Sequence, residues 1–285
     1  MDLTDLLEKE LIGLSSELLS VRIPLIVGGG YGLILKQRHV EKSGEKTIRG
    51  FPEARSTNDL DVFLTMEFVS DAVCMESLRT ALFDRGFSPV SGAEHYQFER
   101  VVSHRGQDRQ IKIDLLAAPP RDAGVLKKLK VDSRRTRLRA VKEIHAHTAR
   151  EAFIVAEKAM TVSFSDASVT NIHVPHPFSF LLLKLFAYRD RRNDSEKDFG
   201  RYHAFDLYRI VAMITETEYQ EMLAFRDKYF DDEIVTEARR IILELFDTVS
   251  SDGTIKMREY AQETGYLVSE ADSQEFVNDL KTFFV

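Results

Sequence analysis

The chain has 285 residues, with 39 Lys and Arg against 46 Asp and Glu for a net charge of −7, one Cys and no Trp. At roughly 100–200 residues per domain this length suggests two domains, and 44% hydrophobic with 30% charged residues excludes wholesale disorder, collagen and low-complexity classes. Cys74 has no partner for an internal disulfide, no run reaches the ~18 apolar residues that cross a bilayer, and the acidic, amphipathic N-terminus is unlike a signal peptide; a cytoplasmic protein without a membrane partner is expected.

In chain order, Leu6, Leu7, Leu11, Leu14 and Leu18 recur near the helical period and predict a helix over Leu3–Leu19. The helix stops at Pro24. A short apolar run, Pro24–Val27, ends in Gly28-Gly29-Gly30, and Tyr31–Leu35 restarts as helix. The polar stretch Lys36–Thr57 reads as a helix end followed by an exposed loop. Strand signals follow at Asp59–Leu64, Tyr96–Val102 and Gln110–Leu116, with a helix over Phe68–Phe83 stopped by Gly86. After Pro175 and Pro177 the character changes. A strongly apolar helix, Phe178–Tyr188, precedes helices near Ala204–Ile214, Glu216–Lys228, Asp232–Phe246 and Asp272–Phe284. The predicted fold is α/β over residues 1–170, a mixed sheet flanked by helices, followed by a mainly helical C-terminal domain over residues 171–285.

The chemistry concentrates in carboxylates. Asp59 and Asp61 lie two apart in Asn58-Asp59-Leu60-Asp61-Val62, so on a strand they share a face while Leu60 and Val62 point to the core. Asp114 stands in a similar alternating run, Ile111-Lys112-Ile113-Asp114-Leu115. If the two strands are neighbours, three acids converge into a hard-oxygen set suited to two Mg²⁺ ions. Gly28-Gly29-Gly30 between a strand and a helix would expose backbone N–H groups at a helix N-terminus, where phosphates bind. The run is not G-x-G-x-x-G and no G-K-[ST] follows it, so neither a dinucleotide fingerprint nor a P-loop is present.

The order of strand, Gly-Gly, helix, D-x-D strand and later acidic strand resembles the DNA polymerase β-like nucleotidyltransferase superfamily over roughly residues 20–120. Gly28-Gly29, the run from Arg55 through Thr57, Asn58 and Asp59 to Asp61, Asp114, the helix around Lys184–Arg189 and the run Lys197-Asp198…Asp206-Leu207-Tyr208 are similar to the abortive-infection nucleotidyltransferase toxins of type IV toxin–antitoxin systems. The resemblance implies a nucleotidyltransferase-type sheet and transfer of a nucleoside monophosphate from an NTP to an acceptor hydroxyl, such as a tRNA end. Asp59, Asp61 and Asp114 would be catalytic acids and metal ligands, with Asp114 a candidate base. Lys184 would meet the triphosphate and Asp206 would orient Lys184 or a substrate group. Gly28, Gly29, Gly30, Thr57 and Arg189 would contact the nucleotide. Where the family often has Ser after the first glycine, this chain has Gly29.

Charge is uneven along the chain. Residues 121–150 carry ten bases (Arg121 and Arg150 at the ends) and three acids, a net +7, while residues 216–285 net −10. The basic segment is read as a solvated loop or helix face that an RNA acceptor would approach, and the acidic helices as a surface for a basic protein such as an antitoxin. His145-x-His147 and His173-x-x-His176 lack cysteine partners and read as solvated loop histidines rather than a metal site. Transfer to a small antibiotic-like molecule or a protein side chain, and a non-catalytic nucleotide-binding module, are the alternative readings.

Overall fold

The structure is a computed structural model that describes residues 3–55, 57–104, 106–164 and 171–285. Two compact units form: residues 1–39 with 55–175, and residues 40–54 with 176–285. This differs from the sequence division in two ways. The cut follows Pro175, and Val40–Ala54 belongs with the helical unit.

In the first unit, α1 (Leu3–Glu17) buries Leu6, Leu7, Leu11 and Leu14, the stripe that predicted it. β1 (Leu25–Val27) leads through the glycine turn into α2 (Gly29–Ser43), which crosses into the second unit after His39. Then come β2 (Asp59–Phe63), α3 (Met66–Val69), α4 (Ala72–Asp84), β3 (Ser88–Pro89), β4 (Gln97–His104), β5 (Gln107–Ala117), α5 (Ala123–Lys128), β6 (Leu129–Val131), β7 (Arg135–Leu138), β8 (Ala146–Thr148), β9 (Met160–Thr161) and β10 (Ile172–Val174). These strands form one mixed sheet in the order β6-β7-β8-β5-β2-β1-β10-β9, with β4 also on β5 and β3 on β4. Because β2 overlaps both β4 and β8 along β5, β4 and β8 lie end to end on the opposite edge of β5.

Three local expectations change. The single helix over Phe68–Phe83 is two, because the Asp71 carboxylate accepts from the N–H groups of Val73 and Cys74 at 2.8 and 3.0 Å and starts a new helix. The segment 121–150 is not simply loop or helix face: it holds α5 and three sheet strands. The histidines are not solvated loop residues. His145 is 1% exposed with its ring 4.4 Å from that of His95 and tilted by 36°, His147 and His173 lie on β8 and β10, and the Nδ1 of His176 accepts from Phe178 N–H at the start of a helix.

The second unit is helical: α6 (Pro177–Arg191), α7 (Arg201–Ala212), α8 (Glu216–Lys228), α9 (Glu233–Leu245), α10 (Asp252–Glu263) and α11 (Glu270–Phe284). Part of the stretch expected to be loop joins this unit by a bridge of Thr47 to Thr215 and an Ile48 N–H to Ile214 carbonyl bond of 2.9 Å. Its core is aromatic, with Phe178 stacked on Phe225 and Phe284. Among the described residues no helix is long and apolar enough to cross a membrane.

Candidate active site

β2 and β5 run parallel, with Asp61 directly across from Asp114 and Asp59 across from Lys112. Side chains two apart on a strand share a face. Asp59, Asp61, Lys112 and Asp114 therefore stand on one face, while Leu60, Val62, Ile113 and Leu115 are buried on the other. From the opposite edge β4 sets Gln97 across from Asp114, and the Gln97 side chain hydrogen-bonds its carboxyl.

Burial, then the charges of Asp61 and Asp59, pushes the Asp114 carboxyl up from 3.8 to about 7. Its Oδ1 is buried and has no hydrogen-bond partner among the described residues. Three carboxylates on one face, two of which raise the third, are a donor set that suits Mg²⁺, and a cation would relieve the charge on Asp114. As placed they are not a closed set: among the described residues no group of three or more His, Cys, Asp or Glu is poised to hold a metal ion. The residues fit the ion in chemical kind and in shared face.

The glycine turn is fitted to this strand. Gly29 has φ +60°, and a Cβ on it would lie 1.7 Å from Asp61 Oδ2. Any side chain there, serine included, would meet both left-handed strain and the Asp61 carboxylate. A Cβ on Gly28 would lie 2.4 Å from the Phe63 ring, and the Gly28 N–H donates to the Asp61 carbonyl at 2.9 Å. Gly30 abuts Thr57 and Arg55, whose nearest atoms lie 3.2 and 3.5 Å from where its Cβ would be. The Thr57 hydroxyl is itself an acceptor for the Asp59 N–H at 3.3 Å, so it shapes the entry to β2. A cleft of about 300 Å³ lined by Thr57, Asn58, Asp108, Arg109 and Gln110 opens beside this entry.

Lys184, Asp206 and Arg189 belong to the second unit. Lys184 is buried and donates to Asp206 at 2.7 Å, and the other carboxylate oxygen of Asp206 accepts from Arg209 at 3.0 Å. Of the two roles the resemblance implies for Asp206, a contact to Lys184 or to a substrate group, the first pairing is the one made within the chain. Arg189 pairs with Glu237 and Asp190 and lies over the Phe186 ring.

Sheet pairing also decides which way the basic segment faces. Leu116, two residues beyond Asp114, pairs with His147; His147 pairs with Arg135; and Arg137, two beyond Arg135, pairs with Lys130. Arg135, Arg137 and Lys130 therefore share the face of the three acids, while Thr136 and Leu138 are buried behind them. Lys130 and Arg137 are like charges directly across from each other, an arrangement that costs stability unless an anion joins it. Gln97 had no signal in the sequence, because only non-local pairing brings it beside Asp114, whereas Lys112 is its neighbour by the period-two alternation of β5.

The chain matches no protein-family profile and no curated protein. Among solved structures, an antigenic nucleotidyltransferase-like protein from Paracoccidioides brasiliensis is similar at 15% sequence identity and a TM-score of 0.40, over 83% of this chain and 91% of that one. A likeness of that size carries no functional argument.

Proposed function

We propose that this protein is a nucleotidyltransferase that moves a nucleoside monophosphate from an NTP to the terminal hydroxyl of an RNA, tRNA first. The observation that carries the reading is the parallel register of β2 and β5, which puts Asp59, Asp61 and Asp114 on one face beside a glycine turn with no room for a side chain. Asp59, Asp61 and Asp114 would hold Mg²⁺, which when bound supplies positive charge to the phosphates and to the attacking oxygen.

The acceptor oxygen attacks the α-phosphorus, the bond from that phosphorus to the α–β bridging oxygen breaks, and pyrophosphate leaves. Asp114, its charge relieved when the ion is bound, is proposed to take the hydroxyl proton, and the lack of a hydrogen-bond partner for its Oδ1 among the described residues supports that role. The glycine turn leaves Asp61 against the first turn of α2, whose N-terminal positive end favours an anion. Lys184, oriented by Asp206, is proposed to meet the triphosphate. An RNA is favoured over a cationic small molecule because Arg135, Arg137 and Lys130 share the acid face. The net −10 helices of residues 216–285 are proposed as the docking surface for a basic partner such as an antitoxin.

The test is incubation with each labelled NTP, Mg²⁺ and total tRNA, beside Asp59→Ala/Asp61→Ala. Label on RNA with the wild type alone supports the reading. Label on the protein itself redirects it to protein modification, label on an added aminoglycoside to small-molecule transfer, and nucleotide binding without transfer to any acceptor leaves only a binding module.

A further inference from the structure

We infer that Leu116, His147 and the Tyr96 ring form a seat for the 3′-terminal base of a single-stranded RNA acceptor. The inference rests on the acceptor reading above and adds a subsite to it. On the acid-bearing face of the sheet, Leu116 follows Asp114 by two residues and pairs with His147 on the next strand. One strand over and two residues along places His147 about 8 Å from Asp114. Arg135 stands across from His147 on the far side, and Arg137 and Lys130 continue the row. The face therefore runs from carboxylates through an apolar and aromatic step to cations. A nucleotide strand with its terminal hydroxyl at the acids and its upstream phosphates at the cations would lay its last base over that step.

The step has the properties a base needs. His147 and Tyr96 meet with ring centroids 5.2 Å apart at 41°, where the ends of β4 and β8 abut along β5. Leu116, His147 and Tyr96 are all partly open to solvent rather than sealed in the core. Burial, the largest influence, holds the His147 ring below the ordinary histidine value, so at neutral pH it presents a neutral, flat π surface. Such a surface stacks on any base, and stacking of this kind is sequence-tolerant. A purely structural role would call for a closed contact, whereas this one interrupts a row of charged residues with half-open apolar and aromatic surface.

The experiment measures binding of a 5′-fluorescein pentaribonucleotide by anisotropy, comparing a complete 3′-terminal nucleotide with an abasic one. The wild type should bind the complete oligonucleotide about tenfold more tightly than the abasic one. His147→Ala should reduce that preference to twofold or less, and His147→Phe should keep it. Should His147→Ala fail to fold, His147→Gln carries the same expectation. The seat is overturned if the wild type binds neither oligonucleotide, shows no preference, or if His147→Ala keeps the full preference. Transfer of labelled NMP, measured separately, distinguishes the two ideas: base preference without transfer sinks the enzyme reading and keeps the seat, and transfer without base preference does the reverse.

Discussion

Two sets of charge, a buried one in the helical unit and a half-buried one in the sheet unit, follow opposite electrostatic plans. In the helical unit the Asp206 carboxylate lies between Lys184 at 2.7 Å and Arg209 at 3.0 Å, and Arg209 rests over the Phe205 ring. That set is satisfied by its own members. In the sheet unit Asp59, Asp61 and Asp114 share a face, the first two raise the third, and Asp114 Oδ1 has no hydrogen-bond partner among the described residues. Folding accounts for the closed set. In the open one, Gln97 and Lys112 only partly offset the cost of the gathered like charges, because the Asp114 carboxyl is still pushed up to about 7.

The sharpest way to break this contrast is Asp206→Asn. It leaves two buried cations facing a neutral amide, and denaturant unfolding should show a loss of about 3–5 kcal/mol. A loss under about 1 kcal/mol would mean that the closed set does not hold its unit together. On the open side, Asp59→Ala/Asp61→Ala should act in the opposite sense. Transfer activity should fall at least about a hundredfold, since even residues behind metal ligands cost 10–100-fold, while the melting temperature stays level or rises as repulsion is relieved. Gly29→Ala sits between these cases. Left-handed strain of about 1–2 kcal/mol should appear in unfolding, and displacement of Asp61 should abolish transfer.

A smaller effect separates the sets by pH. The folded Asp114 carboxyl keeps its proton up to about pH 7, whereas unfolded it does so only to 3.8. Its stabilising contribution is therefore complete below about pH 4 and is lost as the pH rises through about 7. The melting temperature of the wild type relative to Asp114→Asn should fall between pH 4 and 8. His145, which burial holds down to about 4, acts in the other sense and loses stability as the pH falls below 6.5, but it cancels in that difference. A flat difference would show that neither burial nor its neighbours' charges raise the Asp114 carboxyl. The smallest change is expected from Arg135→Ala/Arg137→Ala: stability within about 0.5 kcal/mol, and a salt slope of single-stranded RNA binding shallower by about 1.4, for two lost phosphate contacts.

Much of the site was legible because its signals are local. The alternation in Asp59–Leu64 and Gln110–Leu116 marked both strands and put the acids opposite the apolar positions, and the glycine run marked the turn before α2. The short strands β6, β7 and β8 were not legible, because runs such as Arg135-Thr136-Arg137-Leu138 have three or four residues and form only by pairing with neighbours. α10 escaped for a related reason: within Asp252–Glu263 only Gly253, Thr254, Met257 and Ala261 are buried, too sparse an apolar stripe to stand out. The break between α3 and α4 rested on one capping aspartate inside an otherwise continuous helical pattern.

Sequence alone determined which residues share a face of each longer strand, since side-chain direction alternates with a period of two along any extended chain. It also determined that the chain divides into a strand-rich part and a helical part, because hydrophobic period is a local property. Only the tertiary structure decided that Asp61 stands across from Asp114 and that Gln97 reaches it from the other edge. It also decided that Arg135, Arg137 and Lys130 look out on the same side as the acids. Those relations depend on register between strands distant in the chain, and a shift of one residue would send every side chain of a strand to the opposite face.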